Sequence, residues 1–178
     1  MITKDILREL YPQATNEKIN LYIQPIVATC DEFGITTIIR QAAFLAQIGY
    51  ESGQLNYVRE IWGPTEAQLR YEGRKDLGNF KPGDGRRFMG RGLIQITGRD
   101  NYRRCGDALY VNLEEEPELL ETPLLAARSA GWYWRTRAIN VPADLGDIDR
   151  VSKLVNGGIN GLPSRRDLYA AALKALSP

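Results

Sequence analysis

The sequence predicts a mainly α protein: one α-rich domain over residues 1–178, with a short, irregular, glycine-rich middle segment that holds at most a brief β element. Three observations lead there. Apolar residues recur at helical spacing before residue 52 and after residue 100. The stretch 54–98 between them is aromatic, glycine-rich and short in period, and no repeat, low-complexity tract or linker-like break divides the chain. With 178 residues, 43% of them hydrophobic and 25% charged, the chain is long enough to bury a sizeable core.

The elements follow in order. Residues 3–10 read as a short helix stopped before Pro12. A second helix starts near Asn16, sets Ile19, Ile23, Ile26, Val27, Cys30 and Phe33 at helical spacing, and ends at Gly34; Pro25 inside it is expected to kink it. A third runs from about residue 37 to 51 and stops at Gly53. In the middle, GRGLIQITG (90–98) is a strand-like run bounded by glycines. Helices return at 101–105, 123–137, 148–155 and 164–176, and the run Glu114–Glu116 reads as a solvated helix start. Long irregular stretches in compact domains usually carry function, so the middle is where chemistry is expected.

Composition narrows that chemistry. The chain has no histidine, so no Ser-His or Cys-His nucleophile pair and no His-rich zinc site can be built; neither a metal nor a cofactor is expected. Cys30 falls on the apolar side of its helix, and two cysteines make no disulfide framework. No apolar run approaches the roughly 18 residues of a membrane span, so stable membrane insertion is not expected. The start, MITKDILREL, offers no secretory signal, which points to synthesis in the cytoplasm. Residues 74–104 carry nine lysines and arginines against three aspartates. This admits a nucleic-acid-binding module, but GDGRRFMGRG misses the G-x-G-x-x-G spacing because position 88 is Phe, and no G-K-[ST] follows. Nucleic acid is therefore not the expected partner.

Acid–base work must then rest on carboxylates, Lys, Tyr or Cys. In FLAQIGYESGQLNYVREIW (44–62), Phe44, Gln47, Ile48 and Glu51 share one helical face. Burial and the negative end of the helix both disfavour an anion at Glu51, so it is expected to keep its proton and act as a general acid. Glu60 follows one short loop later beside Arg59, in more polar surroundings that favour an anion. One neutral and one charged carboxyl is the arrangement of a glycosidase, with inversion at a separation of roughly 6.5–9.5 Å and retention at about 5 Å. Tyr50, Tyr57, Trp62 and Tyr102 offer flat faces for sugar rings, although such residues more often pack a core.

AAFLAQIGYESG (42–53), RFMGRGLIQITGRDNY (87–102) and LVNGG (154–158), in that order, resemble glycoside hydrolase family 19, which contains plant-type chitinases and bacteriophage endolysins. The resemblance spans about residues 39–169. It implies a lysozyme-like fold and inverting hydrolysis of β-1,4 links next to N-acetylhexosamines, with Glu51 as acid and Glu60 as the base that activates water. Thr97 matches a water-positioning residue; Gln95, Asn101, Asn156 and Arg165 match substrate-binding or cleft-organising positions. Read alone, Gln95 and Thr97 are ordinary strand residues, Asn101 is a helix cap, Asn156 closes a helix beside Gly157 and Arg165 is surface charge. The chain departs from the plant pattern at Tyr50, where His is usual, and from some phage members at Trp62, where a hydroxyl residue stands, which leaves water positioning to Thr97 or another group. The implied substrate is a polysaccharide, either bacterial peptidoglycan, reached after holin- or lysis-mediated release, or chitin. The chain is expected to act as a monomer, and retention of both glutamates argues against an inactive glycan-binding module.

Overall fold

Threonine caps start the first three helices. Thr3, Thr15 and Thr37 each accept a hydrogen bond from the backbone N–H three residues on, opening α1 (Lys4–Leu10), α2 (Asn16–Glu32) and α3 (Ile38–Glu51). A computed structural model describing residues 1–177 continues with α4 (Glu66–Leu69), α5 (Asp84–Arg87), α6 (Arg99–Leu109), α7 (Pro123–Thr136), α8 (Asn140–Asp144), α9 (Ile148–Asn156) and α10 (Leu162–Leu176). Single 3-10 turns lie at Lys75–Leu77 and Pro117–Glu121. Pro25 sits inside α2.

The core is built around α3, whose residues from Ala42 to Gly49 are all buried. It packs most extensively on α10, while α2 packs on α7. Phe44 of α3 meets Trp134 of α7 edge to face at 5.3 Å. On another side Tyr11 lies so close to Gly49 that a Cβ there would sit 2.4 Å from the ring, and its hydroxyl donates to the Leu45 carbonyl at 2.6 Å. These contacts fix α3 from several sides, and the end of α3 is the residue of interest. Cys30 and Cys105 are free and buried.

The middle differs from expectation. Residues 90–98 form no strand; Arg91 and Ile96 exchange backbone hydrogen bonds of 3.1 and 2.8 Å around the turn 92–95, and Arg91 also pairs with Arg59. The glycines explain it. Gly92 (φ 90°) lies against α7, where a Cβ would meet the Ser129 hydroxyl at 2.6 Å, and the next N–H, of Leu93, donates to Ala126 of α7 rather than to a strand. The helix expected at 101–105 is longer, Arg99–Leu109, so Asn101 lies in its first turn and is not its cap. The acidic run starts no α-helix. It precedes the 3-10 turn Pro117–Glu121 and is tied down, since Arg99 pairs with Glu114 and Arg87 donates to the carbonyls of Glu114 and Glu115.

The basic stretch is neutralised in part: four of its nine cations form ion pairs, and Lys75, Lys81, Arg86, Arg87 and Arg104 form none with a described residue. Arg74 pairs with Asp76, Arg91 with Glu121, Arg99 with Asp84 and Arg103 with Asp100. Among the described residues no helix is long and apolar enough to cross a membrane, and no group of three or more metal-ligating side chains comes together.

Candidate active site

Glu51 is the last residue of α3, and the Arg165 guanidinium of α10 forms an ion pair with it. The same guanidinium donates to the Gln47 side chain one turn earlier, donates through Nε to the Asn160 carbonyl at 3.2 Å, and lies 4.2 Å from the Tyr50 ring centre. Gln47 passes the network on, donating to Ser152 of α9 at 3.1 Å. Two expectations are thereby corrected. Glu51 is not an uncompensated carboxyl on an apolar stripe, because a buried cation stands beside it; a charge left alone at such a site would be costly. Arg165 is neither surface charge nor a substrate contact, since its side chain is 1% exposed and its donors are taken up by protein. It positions Glu51.

After Glu51 the chain reverses through three successive left-handed residues, Gly53, Gln54 and Leu55, at φ of 54°, 60° and 66°. Only the first is a glycine, so the turn needs support. Ser52 Oγ accepts from the Leu55 N–H at 2.8 Å, and Gln54 Oε1 accepts from the Gln13 N–H at 2.8 Å. Asn56 donates to the carbonyls of Gly53 and Gln13, and Lys18 of α2 donates to Asn56 twice at 3.0 Å. Beyond the turn, residues 58–60 run alongside 90–92, with Glu60 N–H donating to Gly90 at 2.8 Å and Gly92 N–H to Val58 at 2.9 Å.

Three donors converge on the Glu60 carboxylate. The Gly90 N–H reaches Oε2 at 3.0 Å, while the Gln68 amide and the Tyr71 hydroxyl reach Oε1 at 3.0 and 3.2 Å. Gln68 is fixed by a capping box with Thr65 at the start of α4. Burial and the Glu60 charge together push the Tyr71 phenol up. Arg59, the sequence neighbour expected to favour the anion, instead faces Glu121 at 3.8 Å. Donors distant in sequence therefore hold Glu60.

One opening borders this carboxylate, and a second lies beyond Gly90. A groove of about 580 Å³ is lined by Glu60 with Tyr57, Ile61, Trp62, Arg86 and Met89. Tyr57 and Ile61 are exposed there, and Trp62 leans on Tyr71 with ring centres 6.3 Å apart. A second cavity, of about 240 Å³, gathers Gln95, Thr97 and Asn101 with Trp132 and Tyr133. Gly90 lies between Glu60 and Gln95: a Cβ there would sit 2.6 Å from Gln95 Oε1 and 3.3 Å from Glu60 Oε2. Thr97 donates to the Gln95 carbonyl, Asn101 to the Thr97 carbonyl, and Gln95 to the Gly92 carbonyl. Each thus spends a donor on backbone and keeps acceptor capacity. Burial, with the Glu51 charge adding to it, pushes the Tyr133 phenol up against the opposing Arg137 guanidinium.

Two further candidates lie elsewhere. Tyr102 is fully buried; its hydroxyl donates to the Met89 carbonyl at 2.5 Å and accepts from Arg91, and its ring packs on Phe88. It is a core residue and presents no face to a sugar, which corrects that expectation. Asn156 ends α9 beside left-handed Gly157 and donates weakly, at 3.4 Å, to the Asn160 carbonyl that Arg165 also holds. It shapes that loop and lines neither opening.

Sequence reasoning missed Gln68, Tyr71 and Gly90 as partners of Glu60, and Ser152 behind Gln47. Thr65–Gln68 was legible as a capping box. Nothing local marks the others.

A family model described as chitinase class I matches residues 36–148. A glycosyl hydrolase family 19 domain-containing protein of Haemophilus influenzae is 32% identical over 97% of this chain and 96% of that one. Endochitinase CHI of Arabidopsis thaliana is 36% identical over 58% of this chain, which spans only 38% of the plant protein. Among solved structures, chitinase C from Streptomyces griseus superposes with a TM-score of 0.77 at 22% identity, covering 98% of this chain and 76% of that one. A class IV chitinase from Zea mays gives 0.75 at 19%, covering 98% and 92%. At these identities the structural matches speak for a shared fold.

Proposed function

Because the chain belongs to glycoside hydrolase family 19 and is therefore a glycosidase, we propose that it cleaves β-1,4 links next to N-acetylhexosamines by single displacement with inversion, and that bacterial peptidoglycan is its physiological substrate. The observation carrying the mechanism is that the two glutamates are held by unlike partners: Glu60 by three hydrogen-bond donors beside an open groove, Glu51 by a buried guanidinium. Two carboxyls in unlike environments divide the work of acid and base. Glu51 protonates the leaving oxygen, and Arg165 stabilises the carboxylate left behind. Glu60 takes a proton from water, whose oxygen bonds to the anomeric carbon on the opposite face as the glycosidic bond breaks. Thr97, with lone pairs left after donating to Gln95, accepts from that water. Gln95 and Asn101 take the hydroxyl and acetamido groups, and Trp62 with Tyr57 faces a sugar ring.

Arg86, in the groove beside Glu60 and without an ion-pair partner among the described residues, favours an anionic wall, which the enzyme reaches after holin- or lysis-mediated release. The plant relative's name, endochitinase, supports the second reading, chitin, whose links are the same. Mass analysis of digested peptidoglycan reads the new reducing-end sugar, and NMR of the first product reads its anomer. Fragments ending in a free N-acetylhexosamine of α configuration are expected. An inert wall beside strong chitin cleavage would overturn the substrate, and a β product the mechanism.

A further inference from the structure

The Glu60 carboxylate is not held evenly. Its Oε1 meets two donors, the Gln68 amide at 3.0 Å and the Tyr71 hydroxyl at 3.2 Å, whereas Oε2 meets one, the Gly90 N–H at 3.0 Å. The Gln68 amide cannot be turned round. Its oxygen accepts from the Gly63 and Thr65 N–H groups at 3.1 and 2.7 Å, and its Nε2 donates also to the Ile61 carbonyl at 2.8 Å, so the group facing Glu60 is a donor. Tyr71 is placed by its ring, which packs against Trp62, and by its carbonyl, which accepts from Asn79 at 2.9 Å. Burial together with the Glu60 charge keeps the proton on its phenol, and toward an anion that phenol donates. Each carboxylate oxygen offers about two lone pairs. Both of Oε1 are therefore taken, and one of Oε2 is left. Oε2 is the oxygen on the Gly90 side, with Gln95 just beyond: a Cβ on Gly90 would sit 3.3 Å from Oε2 and 2.6 Å from Gln95 Oε1. The terminal torsion of a glutamate is broad and two-fold, so without fixed partners its two oxygens exchange places readily.

We propose that Tyr71 and Gln68 are positioning residues: by filling Oε1 they stop the carboxylate from turning and leave Oε2 as the atom that takes the proton from water. One O–H bond of the water breaks, its proton moves to the open lone pair of Oε2, and its oxygen bonds to the anomeric carbon. This rests on Glu60 being the base proposed above, and it names the oxygen that acts and the residues that select it.

Tyr71→Phe tests it with little disturbance, because the ring and its packing on Trp62 stay and one hydroxyl goes. On a chitin oligomer kcat is expected to fall about tenfold with KM within about twofold, since the lost donor acts on the base and not on bound sugar. The same substitution made in Glu60→Gln, followed over long incubation, should change kcat by less than about twofold, because no base remains to be placed. Gln68→Met, which also gives up the cap of α4, should show the same collapse in the Glu60→Gln background. All rates are read well below each variant's melting temperature, so a less stable protein does not imitate a misplaced base. A Tyr71→Phe kcat within about twofold of the parent overturns the proposal, as does a loss of equal size with and without the Glu60 carboxylate, or one confined to KM. The parent rate in Glu60→Gln would sink the base itself. A crippled Glu60→Gln beside an unimpaired Tyr71→Phe sinks the positioning alone.

Discussion

Replacing Arg165 by methionine keeps much of the side chain's length and removes its charge. The guanidinium is 1% exposed and holds Glu51, Gln47 and the Asn160 carbonyl at once, so all three lose a donor. Breaking a buried pair from one side costs about 3–5 kcal/mol. The Glu51 side chain is 19% exposed, so water recovers part of its charge and the lower end, about 3 kcal/mol, applies. For a chain of this length each kcal/mol moves the melting temperature by about 2–4 °C, which gives a fall of about 6–12 °C. Glu51 also loses its fixed place, and a catalytic group misplaced by about 1 Å costs roughly 100-fold in rate. Arg165→Lys keeps the charge but not the fork, so it should recover part of the stability and little of the rate. Thermal denaturation followed by circular dichroism, with kcat/KM on a chitin oligomer, reads both. A melting temperature within about 2 °C of the parent, or activity within about threefold, would refute the reasoning.

Glu51→Gln should abolish turnover with glycan binding nearly intact, since the amide keeps the shape and has no acidic proton to give; activity within tenfold of the parent speaks against the acid role. Glu60→Gln is expected to lower kcat by about 10²–10⁴, with a smaller change in KM. Gly90→Ala would drive a methyl to 2.6 Å from Gln95 Oε1, so kcat/KM should drop about tenfold or more while melting changes little; unchanged kinetics would show that Gln95 has room to move. Burial raises the Asp84 carboxyl, but Arg99 and the Lys81 N–H outweigh it and hold it below the usual range. A depressed carboxyl adds stability above its unfolded value of about 3.9 and loses it as pH falls through the folded value. Melting temperature should therefore hold above about pH 5 and fall below about pH 4. Asp84→Asn should cost about 2 kcal/mol at pH 7 and shallow that acid limb, and an acid limb of unchanged depth would exclude Asp84 as a contributor.

The helices were legible wherever their signals are local. The stops at Pro12, Gly34 and Gly53 and the spacing of Ile19, Ile23 and Ile26 placed the first three within a residue or two. The run 90–98 misled because its alternation is that of a strand, while Gly92 sends the next N–H to α7, a partner outside any local window. Glu51 and Glu60 could be singled out because apolar and aromatic neighbours make a carboxyl conspicuous. Their partners could not: Arg165 lies 114 positions from Glu51 and Gly90 lies 30 from Glu60. Tyr102 and Trp62 look alike as letters; only the packed Phe88 on one and the open groove beside the other tell core from cleft.

The left-handed turn at residues 53–55 sets the span from one glutamate to the next, yet it is braced by Gln13 and Lys18 near the beginning of the chain. Gln13, between the first two helices, and Lys18, in the second, thus serve as a gauge for the gap between the two carboxyls, although neither lines the groove beside Glu60. An enzyme trimmed of them would forfeit its calibration before it forfeited any reacting group.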